Sequence, residues 1–253
     1  LHPFPGMRYT LGMDFSAEEL FEAIDRLVAG LLERAGVDTP PVDALHLARE
    51  HLGIPVTIQS HRTEGDGPRH SRRRTISAQG GIILTADMTP TQRHKAAAEG
   101  IAQALAPQLC RQLGIPFDPQ QKLFLGQLRT LFAPRLLVPT RMFRSAQREC
   151  QKDLLALHDV FSTASPEMIA LRWLDLEEPC VVSIIDDGVV ALRRSNCGVS
   201  GKQLFPAEQQ CHDRIAQLGQ PQRLRQMGWT VRGWPLPDRL GQRIVLHSIP
   251  DEV

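Results

Sequence analysis

Aromatic residues are scarce in this 253-residue chain: one tyrosine, three tryptophans and nine phenylalanines make up 5% of it. Stacking platforms for single-stranded nucleic acid are built from such rings, so that class of binder is not indicated. Charge of one sign is missing as well. Lys+Arg 29 against Asp+Glu 28 leaves a net charge of +1 and no global pull toward nucleic acid or anionic lipid. No apolar run approaches the roughly 20 residues that cross a bilayer, and the segment Leu1 to Thr10 lacks the charged and apolar blocks of a secretory signal. The expected setting is therefore the cytoplasm, with no membrane partner. The five cysteines (Cys110, Cys150, Cys180, Cys197, Cys211) are odd in number, scattered and without a C-x-x-C pair. Neither a disulfide framework nor a zinc ribbon follows, and they read as reduced apolar fillers. Leu1 is not a methionine, and Met7 and Met13 are both candidate initiators.

What is present is a hydrophobic content of 42%, enough to bury a core and to exclude disorder of the whole chain. Ser16 with Glu19 forms a capping box ahead of Leu20, Ile24, Leu27, Val28 and Leu31 on one helical face. After Thr39-Pro40-Pro41 a second helix is expected through Leu45 and Leu52, then a strand from Ile54 to Gln59. A polar loop carries Arg69, His70, Arg72, Arg73 and Arg74, and Thr75–Ala78 with Ile82–Thr85 read as a hairpin through Gly80-Gly81. Thr89-Pro90 opens a long helix toward Leu113, and Asp118-Pro119 opens another to about Phe132, followed by an apolar extended stretch at Leu136 to Pro139. Thr140–Asp159 and Ser165–Leu174 are expected as helices. From Cys180 the pattern turns to strands: Val181–Ile185, a turn at Asp186-Asp187-Gly188, Val189–Arg193, then a helix over Pro206–Leu218 and strands at Trp229–Trp234 and Arg243–His247.

The order of these elements, with the segments "PVDALHLAREHLGIPVTIQS", "GGIILTADMTPTQRHKAAAEGIAQALA", "FAPRLLVPTRMF" and "LLALHDVFSTASPEMIALRWLDL", resembles the ImmA/IrrE family of zinc metallopeptidases over roughly Phe15 to Asp175. The resemblance implies a long helix carrying H-E-x-x-H, in which two histidines one turn apart bind a zinc ion and the glutamate serves as general base on metal-bound water. Laying that motif on the long helix puts Ala98 and Ala102 at the histidine positions and leaves Glu99 at the glutamate. The third ligand, a glutamate on the next helix, falls at Leu128. Gly100 and Ile101 stand where the family has an apolar residue and a glycine. Zinc is the cofactor the family implies, yet a methyl group offers no lone pair, so the expectation is a catalytically degenerate protein whose helix nevertheless survives, alanine being a strong helix former.

A relocated metal site is the alternative, built on His94 with His46 or His158, and it would leave a metalloendopeptidase that cleaves a cognate repressor. Glu99 without a metal reads as a solvated or salt-bridged carboxylate. The cluster Arg69, Arg72, Arg73, Arg74 is a candidate phosphate contact, against the plainer reading of a solvated loop. The helices at 153–174 resemble a helix-turn-helix unit, but with Arg172 as the only cation of the second helix they suit packing better than groove reading. In the last domain Arg193-Arg194-Ser195-Asn196 with Trp229 and Trp234 could line a pocket like that of GAF-type sensory modules, with core packing the plainer role.

Together these readings predict an α+β fold. An N-terminal extension (1–14) precedes a mostly helical, zincin-like core with a small three-stranded sheet (15–139), an HTH-like helical unit (140–176) and a C-terminal α+β mini-domain (177–253). The expected role is a regulatory protein-binding module of a stress-response or defence operon. Its partner would be a protein such as a helix-turn-helix repressor, with nucleic acid a weaker candidate.

Overall fold

The structure is a computed structural model that describes residues 15–59, 81–238 and 241–251. The fold is α+β, with a two-stranded and a five-stranded sheet among the described residues. The chain divides into two compact units: residues 10–152 with 157–165, and residues 153–156 with 166–253. Residues of the expected helical appendage at 140–176 fall in both units.

In the N-terminal unit, helix α1 (Ala17–Arg34) starts at Ser16, whose hydroxyl accepts from the Glu19 N–H while the Glu19 carboxylate accepts from the Ser16 N–H. Its apolar face, from Leu20 to Leu32, is buried as the periodicity requires. Helix α2 (Ala44–His46) is capped by Asp43 and continues as a π-helical turn over Leu47–His51, where a regular second helix was expected. Strand β1 (Val56–Gln59) pairs in parallel with β2 (Ile82–Thr85), Val56 opposite Ile82. Ile82–Thr85 thus has a parallel neighbour in β1, which was not foreseen. Thr75–Ala78 lies outside the described residues, so the third strand is not among them.

Helix α3 (Pro90–Gln112) begins at Thr89 in a capping box with Gln92, as the Thr-Pro pair foretold. Helix α4 (Lys122–Leu137) starts later and runs further than expected. It continues through Pro134 because Phe132, Ala133, Leu136 and Leu137 beyond and around the proline are all buried, and that burial outweighs one lost backbone hydrogen bond. The single helix expected over Thr140–Asp159 is two, α5 (Thr140–Glu149) and α6 (Leu154–Val160). Gln151 and Lys152 between them adopt positive φ values of 50° and 58°, which no helix accommodates.

In the C-terminal unit, α7 (Pro166–Arg172) ends in a 3₁₀ turn at Trp173–Asp175 and leads into strands β3 (Val181–Asp186) and β4 (Val189–Ser195). Helix α8 (Pro206–Leu218) follows, then β5 (Gln222–Gln226), β6 (Trp229–Asp238) and β7 (Gly241–Pro250). The sheet is antiparallel throughout, in the order β4-β3-β7-β6-β5. Strand β5 was not expected, because Leu224 is the one apolar residue of "QRLRQ" and the strand sits at the sheet edge. Every residue from Val181 to Ile185 and from Ile244 to Ser248 is buried, so the two central strands are covered on both faces. One face packs α8 through Cys211 and Ile215 against Ile185, Val231, Ile244 and Leu246. A Cβ on Gly233 would stand 2.4 Å from Ile215 Cδ1 and 2.6 Å from Leu246 Cδ2, so the helix lies as close to β6 as a glycine permits. On the other face Trp173 stacks on His247 at 4.1 Å and on Trp234 at 5.8 Å between ring centroids. Arg243 ties α7 to the sheet, with Nε and Nη2 donating to the two oxygens of Asp186 and Nη1 to Glu167.

Candidate functional site

The long helix carries all of its alanines but Ala104 inward. Ala96, Ala97, Ala98, Gly100, Ile101, Ala102, Leu105 and Ala106 are all buried, and α3 packs along α4, whose Phe124, Leu125, Leu128 and Phe132 are buried in turn. Small side chains let two helix backbones approach, and the alanine run has that effect here. The three positions assigned to metal ligands are among the least accessible in the unit: Ala98 is 0% exposed, Ala102 1% and Leu128 2%. A hydrolytic site needs donor atoms and an open coordination position for water. These positions supply neither, so the residues present do not fit the zinc that the resemblance implies.

Glu99 is half-buried on α3, with no hydrogen-bond or ion-pair partner among the described residues. His94, one turn earlier, is 15% exposed in its side chain, and its Nδ1 lies 3.7 Å from Asp43 Oδ1 at the cap of α2. Burial holds the His94 imidazole below its ordinary pKa, with the Asp43 charge opposing. His46 is engaged elsewhere, edge-on to His51 at 5.4 Å. Among the described residues no three His, Cys, Asp or Glu side chains gather closely enough to hold a metal ion. The cluster Arg69, Arg72, Arg73, Arg74 lies outside the described residues.

Gly100 is the residue of this helix that sequence reasoning undervalued. A Cβ there would stand 2.4 Å from Ile82 Cγ1 and 2.9 Å from Ile82 Cδ1, so α3 crosses β2 at a separation only glycine allows. The signal was available, since a glycine in mid-helix costs about 1 kcal/mol against alanine and calls for a packing reason.

In the C-terminal unit the residues expected to share a pocket are separated. Trp229 and Trp234 differ by an odd number of positions on β6 and so point to opposite faces. Trp229 stacks on Phe205 at 4.6 Å, over which the Arg193 guanidinium sits at 4.5 Å, whereas Trp234 joins Trp173 and donates to Asp153 Oδ2 at 3.2 Å. Asn196 is a clasp: its Oδ1 accepts from the Cys180 N–H, and its amide donates to the carbonyls of Leu174, Leu176 and Glu178. Ser195 accepts from the Cys197 N–H, and Arg194 is exposed.

The polar centre of this unit is Glu208, which no local pattern marks out. It is 0% exposed and accepts from Arg193 Nη2 at 2.8 Å, from the hydroxyls of Ser248 at 2.9 Å and Ser183 at 3.4 Å, and from the Phe205 N–H at 2.9 Å. Glu208 occupies the third position of α8, where a carboxylate caps the helix and faces its positive end. Arg193 also donates to the Gly201 carbonyl. The carboxylate is satisfied by four donors, one of them the Arg193 guanidinium, whose own Nε is buried without a hydrogen-bond partner; the arrangement is a structural ion-pair network.

With this geometry in view, the class is that of an α+β protein built from a helical unit and an antiparallel-sheet unit. No protein-family model matches the chain, and no curated protein matches it. Among solved structures the fold is similar to that of a Mycobacterium tuberculosis transcriptional regulator, with a TM-score of 0.65 and 20% sequence identity over 92% of this chain and 80% of that one. At that identity the likeness concerns the fold. Among the described residues no helix is long and apolar enough to cross a membrane.

Proposed function

We propose that the chain is a catalytically degenerate ImmA/IrrE-type protein that regulates by binding a protein partner, such as a helix-turn-helix repressor, rather than by cutting it. The observation that carries this reading is hydrocarbon at all three ligand positions, each sealed in the packing of the N-terminal unit. Gly100 strengthens it. If the close approach to Ile82 marks the family's motif glycine, the alignment shifts by one residue. The histidine positions then become Ala97 and Ile101 and the glutamate position becomes Ala98, all fully buried. Hydrocarbon occupies the ligand positions in either register, and in the shifted one Glu99 has no catalytic counterpart. The shared fold with a transcriptional regulator supports a regulatory role. In β1 the exposed Thr57, Ile58 and Gln59 offer a strand for an extended partner segment. We read the sheet unit as the sensory part, of GAF-like type, and the cytoplasm as the setting.

The test combines metal analysis of the purified protein with incubation beside the helix-turn-helix repressor of its own operon. The expected result is a stable complex, an uncut repressor and zinc well below one equivalent. Stoichiometric zinc together with repressor cleavage would overturn the proposal in favour of a relocated metal site.

A further inference from the structure

The turn that replaces the expected second helix brings two histidines together. Leu47–His51 is wound as a π-helix, and the Leu52 N–H donates to the Leu47 carbonyl, five residues back, at 3.2 Å. Such turns are rare and concentrate at functional sites. In an α-helix, residues five apart point about 140° away from each other. The i→i+5 winding instead stacks them one turn apart, and His46 and His51 meet with ring centroids at 5.4 Å and planes tilted by 73°. Both residues are exposed. The turn is anchored beneath them, since Leu47 and Ala48 are 0% exposed and Asp43 Oδ1 accepts from the His46 N–H at 2.9 Å.

We infer that His46 and His51 form a two-histidine site for an imidazole-seeking divalent cation such as Zn²⁺. Zinc binds imidazole nitrogen at about 2.0–2.1 Å, and two imidazoles that share one tetrahedral ion at that bond length have centroids about 5 Å apart. The two rings stand at that separation without any change of backbone. The last torsion of a histidine is broad, so each exposed ring can turn a nitrogen toward a shared ion. Among the described residues no third His, Cys, Asp or Glu joins the pair. Water therefore fills the other positions, and the site is weak and reversible, unlike a catalytic zinc centre with three protein ligands. Because the π winding brings the rings together and an α winding parts them, the ion binds the first and not the second, and its occupancy stabilises the turn as found. The Ile54 N–H, two residues before β1, donates to the Ala48 carbonyl at 2.8 Å, so the winding that the ion favours is the one that leads the chain into β1.

The experiment is a zinc titration of the chelator-stripped full chain, followed by NMR of its ¹⁵N-labelled imidazoles. The His46 and His51 resonances are expected to shift together and to saturate at one ion for the pair. His46→Gln and His51→Gln should each weaken the response of the remaining histidine by about 10-fold or more, since loss of a ligand costs no less than loss of a supporting group. At free zinc of about ten times the dissociation constant, hydrogen exchange at the Leu52 amide should slow about 10-fold, because opening the π turn releases the ion. Calcium, which takes oxygen ligands, should shift neither ring. No joint shift up to millimolar zinc would overturn the inference. So would binding at either histidine that survives loss of the other, unchanged exchange at Leu52, or an equal response to calcium. Repressor cleavage is read separately in the assay above, and a signal that either glutamine variant removes belongs to this pair and not to a relocated catalytic site.

Discussion

Substitution of Gly100 by alanine tests the packing on which the reading of α3 depends. In an isolated helix this change is favourable by about 1 kcal/mol. Here the new methyl would stand 2.4 Å from Ile82 Cγ1, where ordinary contact begins near 3.4 Å, so Ile82 would have to retreat by the difference. It has no room to do so. Ile82 is 0% exposed, its strand is paired with β1, and its N–H donates to the Pro55 carbonyl at 2.8 Å. Overpacking of this kind costs about 1–3 kcal/mol, which leaves a net destabilisation of about 1 kcal/mol. In an Ile82→Ala background both clashing carbons are gone, and the same substitution should stabilise by up to about 1 kcal/mol, a coupling of about 2 kcal/mol. Gly126→Ala on α4, with nothing within 4 Å of the added carbon, is the control and should stabilise in either background. The assay is urea unfolding followed by helical circular dichroism. Tryptophan fluorescence reports separately on the other unit, because Trp173, Trp229 and Trp234 all lie there. A Gly100→Ala protein that gains stability in both backgrounds would refute the close crossing and the shifted motif register with it.

Further expectations follow from the same structure. Glu208→Ala should strand the buried Arg193 guanidinium and cost about 3–5 kcal/mol, whereas Glu208→Gln, whose one carbonyl oxygen can replace Oε2 for Arg193 and the Phe205 N–H while its NH2 donates to the Ser248 hydroxyl, should cost less; unfolding followed by tryptophan fluorescence decides, Trp229 being stacked on Phe205. His94 has a depressed pKa in the folded state, so its neutral form contributes stability that is fully present above the ordinary histidine value of about 6.5 and is lost as pH falls through the folded pKa. His94→Gln should flatten that acid limb, and an NMR titration of the imidazole that shows an elevated pKa would contradict it. Burial pushes the Cys211 thiol up to about 11. A thiol reagent at neutral pH should therefore label the half-buried Cys150 and Cys197 first and reach Cys211 only on unfolding, and early labelling of Cys211 by mass spectrometry would contradict its placement.

Much of the secondary structure was legible because it rests on local rules. The Ser16/Glu19 and Thr89-Pro90 starts, the α1 stripe, the Asp187-Gly188 turn and the helix at Pro206–Leu218 are each specified by residues within a few positions of one another. The misses share a different origin. Strand β5 has a single apolar residue, Leu224, and is held by pairing with β6 and by the packing of that leucine on the core. Helix α4 passes Pro134 because the surrounding side chains are buried.

The candidate site divides in the same way. Sequence alone determined that Ala98, Ala102 and Leu128 offer no donor atom to a metal, since the chemistry of a side chain is independent of where it folds. It also determined that the C-terminal region is a strand-rich module. Tertiary structure decided the rest: that those carbons are sealed from solvent, that Gly100 is held open for Ile82, and that Trp229 and Trp234 serve opposite faces of one sheet. It also decided that Glu208 and Arg193, fifteen residues apart, meet in the interior. Burial and pairing of that kind depend on which distant segments arrive at the same place, and a linear pattern carries only half of each contact.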